Sequence, residues 1–240
     1  MLLAVFAHPD DESFSVAGTL SRYHREGRKL ALVSATDGEA GRVTGVRADD
    51  RTEVAALRRR ELLEAAGVLG VDRIFTLGHP DGGLDTMSGD ALVAALTRLV
   101  RRVRPQVILT FGPEGAPNTH ADHRAVSRAA TAAFFLAGIG TALEGYGSAW
   151  TASRLYYVTW TGRSGPGGGV EGLPVTSRLD IRPDIPVKRA AFAAHRSQQH
   201  HIAHFEEELR EHEEFHLAAG VPQPEPVTTD LFAGLPVPAA

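Results

Sequence analysis

Two short segments hold most of the residues that could do chemistry. The first, Ala7-His8-Pro9-Asp10-Asp11-Glu12, packs an imidazole and three carboxylates into six positions. The second is Thr119-His120-Ala121-Asp122-His123. His8 and Asp11 lie three apart across a turn that Pro9 stiffens, so both can reach one point. Asp10 can face that point from outside the ligand set. An imidazole with a carboxylate suits zinc or a related divalent ion. Capping the following helix would need one carboxylate, and like charges this close repel unless a cation compensates. In the second segment, either His120 or His123 can complete a three-residue ligand set with His8 and Asp11. The other is then free for proton transfer, and Asp122 can cap a helix or orient a ring. Catalytic zinc sites commonly take three protein ligands and keep a position for water.

These residues need elements that bring them together. Apolar runs at 2–7, 30–35, 73–77, 107–111 and 155–161 read as strands, with a further edge strand at 178–181. Between them, helical patterns cover 13–26, 52–69, 89–103 and 122–136, with Gly27, Gly70 and Pro105 as stops. Polar, glycine-rich stretches at 37–50, 78–83 and 112–119 read as loops, and 164–169 as a flexible tip. The alternation predicts an α/β, Rossmann-like layered fold with a mainly parallel sheet and helices on both faces. Both chemical segments then fall at the carboxyl ends of strands, where such sheets gather function.

Composition narrows the classes. Net charge is −4, from 25 basic and 29 acidic residues, which is too mild for nucleic-acid or membrane-surface binding. The absence of cysteine excludes disulfides and thiolate metal sites. Residues 1–7 are apolar without a basic start, so they read as a strand rather than a signal peptide. No apolar run reaches membrane-spanning length, and a cytoplasmic enzyme is expected. The 240 residues show no internal repeat or domain boundary, so one domain over 1–240 is expected. The Pro-rich tail after Gly220 offers Leu231 and Phe232 for docking back onto it.

The two segments resemble the LmbE/PIG-L family of zinc-dependent N-acetylglucosaminyl deacetylases. The likeness covers most of the chain, including Leu231-Phe232-Ala233-Gly234-Leu235. One departure is local. The family usually has Gly-His-Pro-Asp-His where this chain has Thr119-His120-Ala121-Asp122-His123, which keeps the chemical residues and changes loop stiffness. The resemblance implies metal ligands at His8, Asp11 and His123, one Zn2+ per chain, with Fe2+ able to use the same set. It implies Asp10 as general base toward a metal-activated water, His120 as second catalytic group and Asp122 as its partner. Arg58 and Asp81 match substrate contacts. The implied reaction is loss of acetyl from the amide nitrogen of an N-acetylglucosamine-type sugar. The runner-up is an amidase acting on a larger thiol-sugar conjugate. The expected partner is a small N-acylated sugar, and homo-oligomers are compatible with the sequence.

A third segment competes for the metal. His212-Glu213-Glu214-Phe215-His216 fits the H-E-x-x-H pattern of zinc peptidases, and the charged pattern at 186–217 reads as one long helix carrying it. Its many exposed acids argue against a buried peptidase helix. His195, His200, His201 and His204 are expected on the surface of the same helix. A nucleotide- or sugar-binding module without catalysis is the rival of a different class, although no G-x-G-x-x-G or P-loop lysine follows the first strand.

Overall fold

A computed structural model describes residues 1–45, 50–115, 118–164 and 170–236. The first half alternates strand and helix: β1 (Leu2–Phe6), α1 (Asp11–Ser15), α2 (Ala17–Arg25), β2 (Leu30–Thr36), α3 (Arg51–Val68), β3 (Arg73–His79), α4 (Gly89–Val103), β4 (Val107–Thr110), α5 (Ala121–Leu136) and β5 (Arg154–Thr159). The second half adds a small hairpin of β6 (Arg163–Ser164) and β7 (Val170–Glu171), then β8 (Ser177–Asp180), α6 (Ile185–Ala194), α7 (Ile202–Glu208) and β9 (His212–Gly220). Within the expected loop at 37–50, positions 46–49 lie outside the described residues, as do 165–169 of the expected tip at 164–169.

The main sheet has seven strands in the order β3-β2-β1-β4-β5-β9-β8. β1 to β5 are parallel, and β9 runs antiparallel to both β5 and β8. β1, β2 and β4 are buried at every position, the pattern of parallel strands covered on both faces. β3, at the edge, is only partly buried. The helices before and after the chain turns back at β3 are expected on opposite faces, since crossovers between parallel strands are right-handed as a rule. Accordingly α2 and α3 pack against α6, while α4 packs against α5. The strand order reverses between β1 and β4, so their loops part there and leave a crevice at the carboxyl ends.

Two helix expectations are corrected. The helix predicted over 13–26 is broken at Val16 (φ −141°, ψ 10°) into α1 and α2. The buried Glu213 carboxylate accepts from the N–H groups of Gly18 (3.0 Å) and Thr19 (2.7 Å), so α2 starts anew with its own cap. The single helix predicted over 186–217 does not exist. α6 ends at Ala194, a 3-10 segment spans Arg196–His201, α7 is short, and the chain is already extended at Leu209. His212, Glu213 and His216 therefore lie on β9, where alternation buries Glu213 and Phe215. Cross-strand pairing with β5 and β8 overrides the helical propensity of the charged residues.

The tail is tied down by polar groups. The fully buried Arg154 donates to the carbonyls of Val221, Pro222 and Leu231 at 2.8–2.9 Å. Tyr23 bonds Asp230 and the Leu231 N–H, and Leu231 and Phe232 are buried.

Candidate metal centre and active site

β1 ends at Phe6, and the turn after it is organised by its own acids. Asp11 Oδ2 accepts from the N–H groups of Ala7 (3.2 Å) and His8 (2.7 Å). Asp10 has φ 108°, a left-handed conformation that costs a non-glycine residue on the order of 1–3 kcal/mol. Its N–H donates to Glu12 Oε2 at 3.1 Å, while its carbonyl starts α1 by accepting from Ser13 and Phe14. Across the crevice, His120 caps α5, its Nδ1 accepting from the Asp122 N–H at 3.2 Å. His123 sits one turn in and stacks on Phe111, with ring centroids 3.9 Å apart.

The two segments meet. His8 Nδ1 lies 3.4 Å from Asp11 Oδ2 and 3.3 Å from His123 Nε2, and His123 Nε2 lies 3.3 Å from Asp11 Oδ1. Tetrahedral ligands at zinc bond lengths stand roughly 3.3 Å from one another, so these donors fit one divalent ion. His120 is nearby, its ring 4.9 Å from His8 and 5.2 Å from His123, and a nitrogen of each of the three rings falls within a 4.8 Å cluster. The other face of His8 is acidic: Nε2 lies 3.1 Å from Asp81 Oδ1 and 3.3 Å from Asp122 Oδ2. A carboxylate behind a ligating imidazole fixes the ring and raises its basicity.

Three further expected site residues, Asp122, Asp81 and Arg58, have well-defined partners around the cluster. The Asp122 carboxylate bonds His8 (3.3 Å) and accepts from the N–H groups of Gly82 (2.7 Å) and Leu84 (3.0 Å). Asp81 uses one oxygen on His8 and the other on the Ala40 N–H, so it braces the site from within. Arg58 is buried and donates to the carbonyls of Gly38 (2.7 Å) and Pro9 (2.5 Å) and to Asp10 Oδ2 (3.1 Å). A Cβ at Gly38, which has φ +69°, would stand 2.2 Å from Arg58 Nη1, so only glycine leaves room for the guanidinium. His195, expected on the surface, is fully buried and bonded through Nε2 to Glu12 Oε1 at 2.7 Å. Glu12 was the acid in the first motif without a task, and that was the signal pointing to a distant partner.

Electrostatics follow from burial and crowding. Burial raises the Asp10 carboxyl to about 6, with Arg58 opposing and Asp11 and Glu12 adding to the rise. Burial also opposes the charge of Asp11, but His123 and His8 outweigh it and hold that carboxyl well below its usual range. For His8, burial is overcome by Asp11, Asp122 and Asp81, which push its proton affinity well above normal. His120 is lowered by burial and by His8 and His123. Its Nδ1 accepts a backbone N–H, so the neutral ring carries its proton on Nε2.

The pattern of the PIG-L family, GlcNAc-PI de-N-acetylase, matches residues 3–134, which include both segments of the site. The chain belongs to the PIG-L family. A relative in Rhodococcus jostii, 1D-myo-inositol 2-acetamido-2-deoxy-alpha-D-glucopyranoside deacetylase, is 30% identical, over 82% of this chain and 81% of its own. Among solved structures, a conserved protein from Thermus thermophilus is 29% identical, with TM-score 0.73 over 92% of this chain and 96% of its own. The 4-carboxy-2-hydroxymuconate hydratase of Pseudomonas putida is 18% identical, with TM-score 0.77 over 93% of this chain and 98% of its own. That second likeness shows the fold alone. Among the described residues, no helix is long and apolar enough to cross a membrane.

Proposed function

We propose that this PIG-L chain removes the acetyl group from the nitrogen of an N-acetylglucosamine unit, using one divalent cation, zinc by preference, held by His8, Asp11 and His123. The observation that carries this reading is the convergence of His8 Nδ1, His123 Nε2 and the Asp11 carboxylate to 3.3–3.4 Å at the strand-order reversal. When bound, such an ion supplies Lewis acidity, which lets water ionise near neutral pH and polarises an amide carbonyl. Asp10 takes a proton from the water that attacks the acetyl carbon. A carboxyl raised to about 6 is a competent base at neutral pH, ionised yet basic enough to bind that proton. His120 presents Nε2–H toward the oxygen that gains charge. Burial and the neighbouring His8 and His123 already lower its proton affinity, and a bound cation would lower it further, so the ring would serve as a neutral donor rather than an imidazolium. The proton on Asp10 then passes to the leaving nitrogen, and acetate and a free amine depart. Asp81 and Asp122 hold the His8 ring, and Arg58 holds Asp10.

The sugar follows from the family and from the Rhodococcus jostii relative, which acts on an acetamido-glucopyranoside of inositol. The test is a screen of metal-loaded protein over N-acetylglucosamine glycosides, the inositol glycoside first, reading acetate release. Metal-dependent acetate release is the expected result. Release only of a bulkier acid from a thiol-sugar conjugate would move the assignment to the amidase reading. Ion binding with no turnover on any acylated amine would leave a binding module.

A further inference from the structure

Asp10 stands in an unfavourable backbone conformation, and the structure shows what holds it there. We propose that Glu12 and His195 are positioning residues for Asp10: a buried imidazole–carboxylate pair that fixes the Asp10 backbone and so the direction of its carboxylate. The proposal rests on the reading of Asp10 as the base.

The Glu12 carboxylate is fully committed. Oε2 accepts from the Asp10 N–H at 3.1 Å, and Oε1 accepts from Ser13 Oγ at 2.6 Å and His195 Nε2 at 2.7 Å. Glu12 is 1% exposed and His195 0%, so water cannot replace either partner. His195 is itself anchored, its N–H donating to the Phe192 carbonyl and its own carbonyl accepting from the Gln198 N–H and Gln199 Nε2. Two residues on, Ser197 is clamped by the buried Glu61 through its N–H (2.8 Å) and hydroxyl (2.6 Å). A rigid line thus runs from the end of α6 through His195 and Glu12 to the Asp10 N–H. Arg58 completes the hold from the carboxylate side, at 3.1 Å from Asp10 Oδ2.

The chemistry of the pair separates positioning from packing. Apolar side chains of similar volume hold elements together as well as a buried ion pair does. Among the described residues, the only side-chain hydrogen bond of His195 is to Glu12, and its buried Nδ1 has no partner. Removing the ring therefore breaks the line at one point. A base displaced by a fraction of an ångström loses rate while substrate binding survives.

The experiment is a double-mutant cycle on metal-loaded enzyme acting on N-acetylglucosaminyl-inositol, with ion content and thermal unfolding measured for each variant. His195→Ala is expected to lower kcat about 10–100-fold with KM and bound ion unchanged. His195→Gln, whose amide can still donate to Glu12, should recover most of the loss. In an Asp10→Asn background the same His195→Ala change should cost less than about twofold, because its effect runs through Asp10. Should His195→Ala prove too unstable to purify, His195→Gln and Glu12→Gln are compared instead, the first near wild type and the second impaired in kcat. Equal loss from His195→Ala in both backgrounds, or kcat within about twofold of wild type in a folded, ion-replete variant, would overturn the proposal. Near-normal kcat in Asp10→Asn alone would mark a different failure, that of the base assignment, and would take the proposal with it.

Discussion

Two acid- and histidine-rich stretches of this chain look alike on paper and do different things in the fold. Between His8 and Asp11 the chain leaves β1 and turns back on itself, and its donors converge with His123 within 3.4 Å. Between His212 and His216 the chain is extended in β9. Four residues at roughly 3.3 Å rise set those histidines about 13 Å apart, although both point to one face. A helix would have brought them within about 6 Å. The buried acids differ in the same way. Glu213 meets the N–H groups of Gly18 and Thr19 and the Lys188 ammonium at 2.6 Å, so its charge is matched by protein alone. At the rim, Asp10, Asp11, Glu12, Asp81 and Asp122 crowd around imidazoles and one guanidinium. A matched acid holds elements together, whereas a surplus of acids around converging imidazoles makes a place for a cation.

The contrast can be broken by substitution. The largest effect belongs to His123→Ala, which should strip the ion and reduce turnover by more than about 10⁴-fold, with elemental analysis as the check. A variant that kept its ion would mean that His123 is not a ligand. Asp10→Asn should keep the ion and lose about 10³-fold in kcat. In the wild type, kcat/KM should fall as pH drops through about 6 or somewhat lower, because the base is lost on protonation and a bound cation favours the charged carboxylate. That acid limb should vanish in Asp10→Asn, and a limb well above pH 6 would point to another group. His120→Ala should cost about 10²-fold in kcat while leaving the ion in place, and an unchanged kcat would make this ring a cap for α5 only.

The strand region should respond in stability instead. Glu213→Ala leaves Lys188 buried and two helix N–H groups unmatched, so a loss of about 3–5 kcal/mol in denaturant unfolding is expected. His212→Ala, at an exposed position, should change stability by less than about 0.5 kcal/mol and leave ion content intact. Loss of the ion from that variant would revive the peptidase-like pattern as a metal site.

The Glu12–His195 pair carries its own linkage. His195 is raised, because Glu12 and Asp10 outweigh the burial that would lower it, and Glu12 is lowered, because His195 outweighs burial. The histidine part of the stabilisation is complete below the ordinary histidine range and fades as pH rises through the raised value. The glutamate part is complete above the ordinary carboxylate range and fades as pH falls through the lowered value. The pair therefore stabilises most between the two ordinary values.

Most of the parallel half was legible. α4 begins and ends where the 3.6-residue pattern puts it, at Gly89 and Val103, and β1, β2 and β4 follow their apolar runs closely. The segments at His8 and His120 were legible because strand ends before helix starts are fixed by local chain chemistry. The region after Pro186 departs from its local pattern for a definite reason. Its Glu, Arg and Ala residues favour a helix, and strand pairing with β5 is a long-range interaction that no local window contains. The break at Val16 has the same origin, since its cause, Glu213, lies nearly two hundred positions away.

The sequence by itself determined the chemical set, two imidazole–carboxylate segments in a chain without cysteine, and the alternation that delivers both to one rim. Local spacing and hydrophobic period suffice for that. Only tertiary structure decided which partner each group faces: Asp122 and Asp81 toward His8, Arg58 toward Asp10, Glu12 toward His195, and Glu213 toward a helix start. A carboxylate carries no address in sequence. Once buried, its partner is whichever donor the packing brings within about 3 Å, and that depends on the whole fold.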